Sequence, residues 1–126
     1  MRTQSGKAVI LVVDDEEDVR DLVREILRSA GFETLGAPGG GPAIDILQAD
    51  PAVDLVLTDV MMPDFDGPTL ARRVARDWPG LPVLFMTGYP LDTLKALGML
   101  PQGPPPIEKP FPIQELVRKV REALGG

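Results

Sequence analysis

The chain has no cysteine and no histidine among its 126 residues, and aromatic residues make up only 5% of it. Without cysteine there is no disulfide, no thiolate nucleophile and no zinc–thiolate site. Without histidine there is no imidazole base, no imidazole metal ligand and no phosphohistidine on this chain. Chemistry must rest on carboxylates, lysine, hydroxyls and backbone groups. Any metal should be a hard cation held by oxygens: Mg²⁺, Mn²⁺ or Ca²⁺. Positive charge is also short. Nineteen acidic against 13 basic residues leave a net charge of -6, which argues against direct binding of nucleic acid or anionic lipid. No apolar run reaches the ~20 residues that cross a bilayer. Ala8 to Val13 ends in acids and reads as a strand rather than a signal core. A cytoplasmic protein without membrane insertion is the expectation.

The length suits one domain with a real core. Glycine and proline fall between periodic segments, as punctuation. Three runs, Ala8 to Val13, Leu55 to Leu57 and Val83 to Met86, are almost wholly apolar. Continuous runs of this kind suit a parallel sheet covered on both faces. Weaker strands are expected at Glu33 to Gly36 and Pro106 to Glu108. Val19, Leu22, Val23, Ile26, Leu27 and Ala30 form a helical stripe stopped by Gly31. Leu70 to Trp78 and Ile113 to Leu124 repeat it, with Trp78 in the core at the foot of its helix. Shorter helices fit Pro42 to Ala49 and Leu91 to Leu97. The alternation βαβαβαβαβα predicts an α/β doubly wound sheet with right-handed crossovers.

In such a sheet ligands bind beyond the carboxyl ends of the strands. Asp14, Asp15 and Glu16 follow the first run, Thr58-Asp59 the third, Thr87-Gly88 the fourth and Lys109-Pro110 the fifth. Carboxylates, a hydroxyl and an ammonium thus converge on one rim. Three carboxylates side by side require a counter-charge, which a divalent cation supplies. Mg²⁺ takes one or two carboxylates, waters and a phosphoryl oxygen. Lys109 and Thr87 could hold the other oxygens of a phosphoryl group, and a carboxylate is an accepted nucleophile for phosphate. Each residue also has a plainer use. Asp14 to Asp18 suit a helix N-terminus, Asp64 and Asp66 suit a turn and a cap, and Gly39-Gly40-Gly41 reads as a flexible loop.

Val12-Val13-Asp14-Asp15-Glu16, the stretch from Leu57-Thr58-Asp59 through Asp66-Gly67, Met86-Thr87-Gly88 and Lys109-Pro110-Phe111 together closely resemble the receiver domain of two-component response regulators. The resemblance runs from Ala8 to Leu124. It implies a flavodoxin-like, five-stranded parallel sheet of order 2-1-3-4-5 with five helices, and a receiver domain over residues 8–126 after a tail at 1–7. It makes Asp59 the phosphoacceptor, contacted through its phosphoryl group by Thr87 and Lys109. Asp14, Asp15, Asp59 and the main-chain carbonyl of Met61 become the ligands of Mg²⁺, with Mn²⁺ as an alternative. Lys109-Pro110 should be cis. The implied partner is a sensor histidine kinase or histidine phosphotransfer protein docking near the first helix, with a downstream protein beyond it. Such a chain is no independent enzyme and only catalyses its own phosphoryl transfer and dephosphorylation.

Departures matter too. Receivers usually carry Tyr or Phe three residues before the lysine, and here Pro106 stands there. Proline has no ring to swing, which points to readout through the fourth helix and its loop, or another face. Gly98 to Pro106 is similar to the corresponding stretch of receivers in hybrid sensor kinases. Met61 and Tyr89, two residues after Asp59 and Thr87, carry no amide or carboxylate to orient water, so slow dephosphorylation is expected. No DNA-binding segment follows Leu124, so direct transcription control is not expected. Two other classes remain open. A haloacid-dehalogenase-type phosphohydrolase would need a second Asp where Met61 stands. A phosphorylation-independent binding module would fit the missing aromatic, but not the intact acid set and Lys109.

Overall fold

The computed structural model describes residues 7–49 and 52–125. The tail expected at 1–7 lies, save for Lys7, outside them. In chain order the elements are β1 (Val9–Val13), α1 (Glu17–Ser29), β2 (Glu33–Ala37), α2 (Gly40–Ala49) and β3 (Leu55–Asp59). They continue with α3 (Gly67–Asp77), β4 (Val83–Thr87), α4 (Leu91–Ala96), β5 (Ile107–Glu108) and α5 (Ile113–Ala123). All strand pairs are parallel, in the order β2-β1-β3-β4-β5 that the resemblance implied. No described helix is long and apolar enough to cross a membrane.

Side-chain alternation along the strands divides the core into two layers. Val9, Leu11, Val13 and Val56 pack with Ala43, Ile44 and Leu47 of α2 and Leu70 and Val74 of α3. Ile10, Val12, Leu55, Leu57, Met86 and Ile107 face the other way, onto Val23 and Leu27 of α1 and Leu116 and Val120 of α5. Every residue of β1 and β3 is buried, which is why their runs show no polar alternation. A smaller cluster of Val60, Phe85 and Leu94 seats α4.

Several boundaries differ from the sequence expectation. β3 and β4 run on to Asp59 and Thr87, because the ladder pairs Asp59 with Met86 and Thr87 with Glu108. Pro106 is buried just before β5 rather than within it; without an N–H it cannot donate to the ladder. Trp78 is half-buried against the α2/α3 layer. Gly40 and Gly41 are not a loose loop but the first turn of α2. That helix has no acidic residue in its own first turn, and Asp64, from the β3–α3 loop, supplies one. Its carboxylate accepts from Gly40 N–H at 3.2 Å and Gly41 N–H at 2.9 Å.

Candidate functional site

Ile10 and Val12 of β1, Leu55 and Leu57 of β3, and Ile107 of β5 all face α1 and α5. Extending the same alternation by one step carries Asp14, Asp59 and Lys109 to that side of the sheet's carboxyl rim. The structure joins them. Lys109 Nζ donates to Asp14 Oδ2 at 2.9 Å and to Asp59 Oδ2 at 3.3 Å. The Lys109–Pro110 peptide is cis, as the resemblance implied, and Lys109 N–H donates to the Thr87 carbonyl at 2.7 Å.

Asp14 is wholly buried, and both its carboxylate oxygens are occupied. Oδ1 accepts from Glu16 N–H at 2.9 Å while Oδ2 takes the lysine. Its carbonyl accepts from Arg20 Nη1 at 2.8 Å, a tie between the site and α1 that no motif announces. Asp59 Oδ1 accepts from Val60 N–H at 3.0 Å. Burial pushes the Asp59 carboxyl up to about 6; the Lys109 charge opposes that, and Asp14 adds to it. For Lys109, burial favours loss of the proton. The hydrogen bond to Asp14 and the charges of Asp59 and Asp14 outweigh it, so its pKa is raised. The ammonium therefore gains from both acids, yet its closer partner is Asp14, and Asp59 is left under-compensated.

Asp15, which is exposed, completes the cluster. One carboxylate oxygen from each of Asp14, Asp15 and Asp59 lies within 4.8 Å of the others. Three carboxylates against one ammonium leave two charges to be balanced, and Asp15 leaves that place open to solvent. An all-oxygen donor set with this deficit fits a hard divalent cation such as Mg²⁺ or Mn²⁺.

Thr87 and Met61 are less directly engaged. Thr87 is wholly buried, and its Oγ1 accepts from Tyr89 N–H at 2.9 Å. Among the described residues no hydrogen bond joins Thr87 to Asp14, Asp59 or Lys109 through its side chain. Met61 is half-buried, its side chain packed against the Val60–Phe85–Leu94 cluster. Gly67 sets how closely α3 approaches: its N–H donates to the Val60 carbonyl at 2.7 Å, and a Cβ there would stand 2.4 Å from the Asp59 carbonyl oxygen. Asp66 caps α3 by accepting from Thr69 N–H at 2.8 Å, as a sequence cap should. Asp64 was readable only as a turn residue, because the amides it caps lie 23 and 24 positions away. A groove of about 530 Å³ between α3 and residues 98–102 is lined by Asp66 but by none of Asp14, Asp15 and Asp59, so the chemistry sits on the open rim.

A family model described as the response regulator receiver domain matches residues 10–121. The response regulator receiver protein CpdR of Brucella abortus is 33% identical over 115 residues, covering 91% of this chain and 95% of that protein. Sensor kinase CckA of the same organism is 34% identical over 128 residues, covering 95% of this chain but 13% of that protein. The chain spans about half the length of several similar transcriptional regulatory proteins. The crystal structure of the receiver domain from hybrid histidine kinase CckA superposes with a TM-score of 0.75 at 35% identity, covering 93% of this chain and 99% of that one.

Proposed function

We propose, because this chain belongs to the response regulator receiver domain family, that it is the phosphoacceptor of a two-component relay and takes a phosphoryl group on Asp59. The observation that carries this is the bridging of Asp14 and Asp59 by Lys109, beside the exposed Asp15. Asp14, Asp15 and Asp59, with the Met61 main-chain carbonyl, would hold Mg²⁺, or Mn²⁺ in its place. When bound, the ion supplies neutralisation of charge on the phosphoryl oxygens.

The chain's own residues do the rest. Val60 N–H holds one oxygen of Asp59, which orients the carboxylate. An Asp59 oxygen attacks phosphorus, forming an O–P bond as the P–N bond to the partner's histidine breaks, and the electron pair leaves with the imidazole. Lys109, already on Asp59 Oδ2, is placed to follow the negative charge from carboxylate to phosphoryl oxygen. Thr87 joins by releasing Tyr89 N–H and turning its hydroxyl toward the new group. No external substrate is turned over, so the chain is a signalling domain rather than an independent enzyme.

A histidine kinase or histidine phosphotransfer protein is the donor, acting in the cytoplasm. Leu22 on α1 and Ile113 at the start of α5 are 61% and 60% exposed. These apolar side chains, on the helices of one face, suit a docking surface near α1. The buried Pro106 in place of the aromatic favours readout through α4 and its loop. A beryllofluoride complex should show residues 88–106 displaced, and an unchanged segment would overturn that route. Intact mass after acetyl phosphate with Mg²⁺ tests the function itself. Wild type should gain one phosphoryl group and Asp59→Asn none. Catalytic turnover would point to a phosphohydrolase, and no adduct to a phosphorylation-independent module.

A further inference from the structure

We propose that Asp64 is a positioning residue for this site, clamping the loop that carries Met61 to the N-terminus of α2. The inference rests on the receiver reading above and extends it to a residue outside the acid cluster. After Asp59 the chain is tied at Val60, whose N–H donates to the Met86 carbonyl at 3.0 Å and whose carbonyl accepts from Gly67 at 2.7 Å. Among the described residues, 61–63 then carry no backbone–backbone hydrogen bond. Their side chains are held, Met61 against the Phe85 cluster and Met62 against the α2/α3 layer with Thr58 Oγ1 donating to its Sδ at 3.8 Å, but among the described residues no hydrogen bond holds their carbonyls. The next anchor is Asp64, which accepts from its neighbour Phe65 N–H at 2.8 Å as well as from Gly40 and Gly41.

The far side of the clamp is built for close approach. A Cβ on Gly39 would stand 2.7 Å from Asp64 Oδ2, and one on Gly40 would stand 2.4 Å from the Phe65 ring. A side chain at either position would therefore displace the Asp64 carboxylate or the Phe65 ring from its present place. In return Asp64 satisfies two of the N–H groups that a helix start leaves unpaired and places negative charge at its positive end. If this contact favours the loop arrangement in which Met61 serves a cation on Asp14, Asp15 and Asp59, the cation must favour the contact by the same factor. The site is thereby coupled to α2, on the sheet face opposite α1 and α5.

The test is Mg²⁺ titration calorimetry on the full chain, with amide hydrogen exchange in parallel. Asp64→Ala should weaken Mg²⁺ binding about fivefold or more. Asp64→Asn, which keeps one acceptor oxygen, should fall between it and wild type. Gly40→Ala opens the same clamp from the other side and should reproduce the loss. Ile44→Val, which thins the buried face of α2 without touching the clamp, should bind Mg²⁺ as wild type does, separating positioning from general destabilisation. Saturating Mg²⁺ should slow exchange of the Gly40 and Gly41 amides in wild type. Should Asp64→Ala fail to fold, Asp64→Asn and the exchange data read the same coupling. Equal affinity in wild type and the Asp64 variants, or exchange indifferent to Mg²⁺, overturns the inference alone. No Mg²⁺ binding by wild type overturns the receiver reading with it.

Discussion

Neutralising Asp59 should stabilise the metal-free protein at neutral pH, even though it removes the phosphoacceptor. Burial raises the Asp59 pKa from 3.8 to about 6. A carboxyl whose folded pKa lies above its unfolded value binds protons more tightly in the folded state. Its contribution to stability is therefore fully present below about pH 4 and lost as pH rises through about 6. Two pKa units at ~1.36 kcal/mol each make the ionised, metal-free form roughly 3 kcal/mol less stable than it would be without the shift. Asp59→Asn removes that charge at constant shape and leaves Lys109 its closer partner, Asp14, at 2.9 Å. Urea denaturation in EDTA should show the variant more stable than wild type by about 2–3 kcal/mol at pH 7.5, with the gap closing toward pH 4. Saturating Mg²⁺ should shrink the gap at pH 7.5, because ligand bound to the folded state stabilises wild type. A variant less stable than wild type in EDTA at pH 7.5, or a gap that ignores pH, would refute the account of Asp59 as an under-compensated buried charge.

Three further outcomes follow from the same geometry. Lys109→Met should destabilise the metal-free protein at pH 7 by about 3–5 kcal/mol, since it strips the ammonium from two buried carboxylates; denaturation curves in EDTA with and without Asp59→Asn check it, and the second substitution should recover part of the loss. Gly67→Ala pushes a Cβ against the Asp59 carbonyl, so it should cost about 1–3 kcal/mol by melting and slow labelling by acetyl phosphate. The phosphorylated form should be long-lived, because Met61 is packed into the α4 cluster and Tyr89 is 44% exposed and neither offers a group to orient water; a lifetime of seconds, followed by intact mass, would contradict this.

Residues 8–13, 55–57 and 83–86 announced buried parallel strands because both faces of the sheet are covered, and apolar continuity is the local trace of that burial. The strand order and the acid rim were legible too, the order through the family resemblance and the rim through which residue follows each run. Asp66 was readable as a cap because its partner lies three residues on. Tertiary structure alone decided the rest. It placed Lys109 Nζ nearer Asp14 than Asp59, and so determined which carboxylate is left under-compensated. It turned the Thr87 hydroxyl to the Tyr89 amide and made a helix start of glycines that had looked like a loop. It also gave Asp64 to a helix more than twenty residues upstream. The approach of segments distant in the chain set most of these outcomes, and it leaves no periodic or short-range mark in a sequence. What the sequence by itself determined was the inventory at the rim; the distances between its members, and the contacts that hold them, came only with the packed sheet.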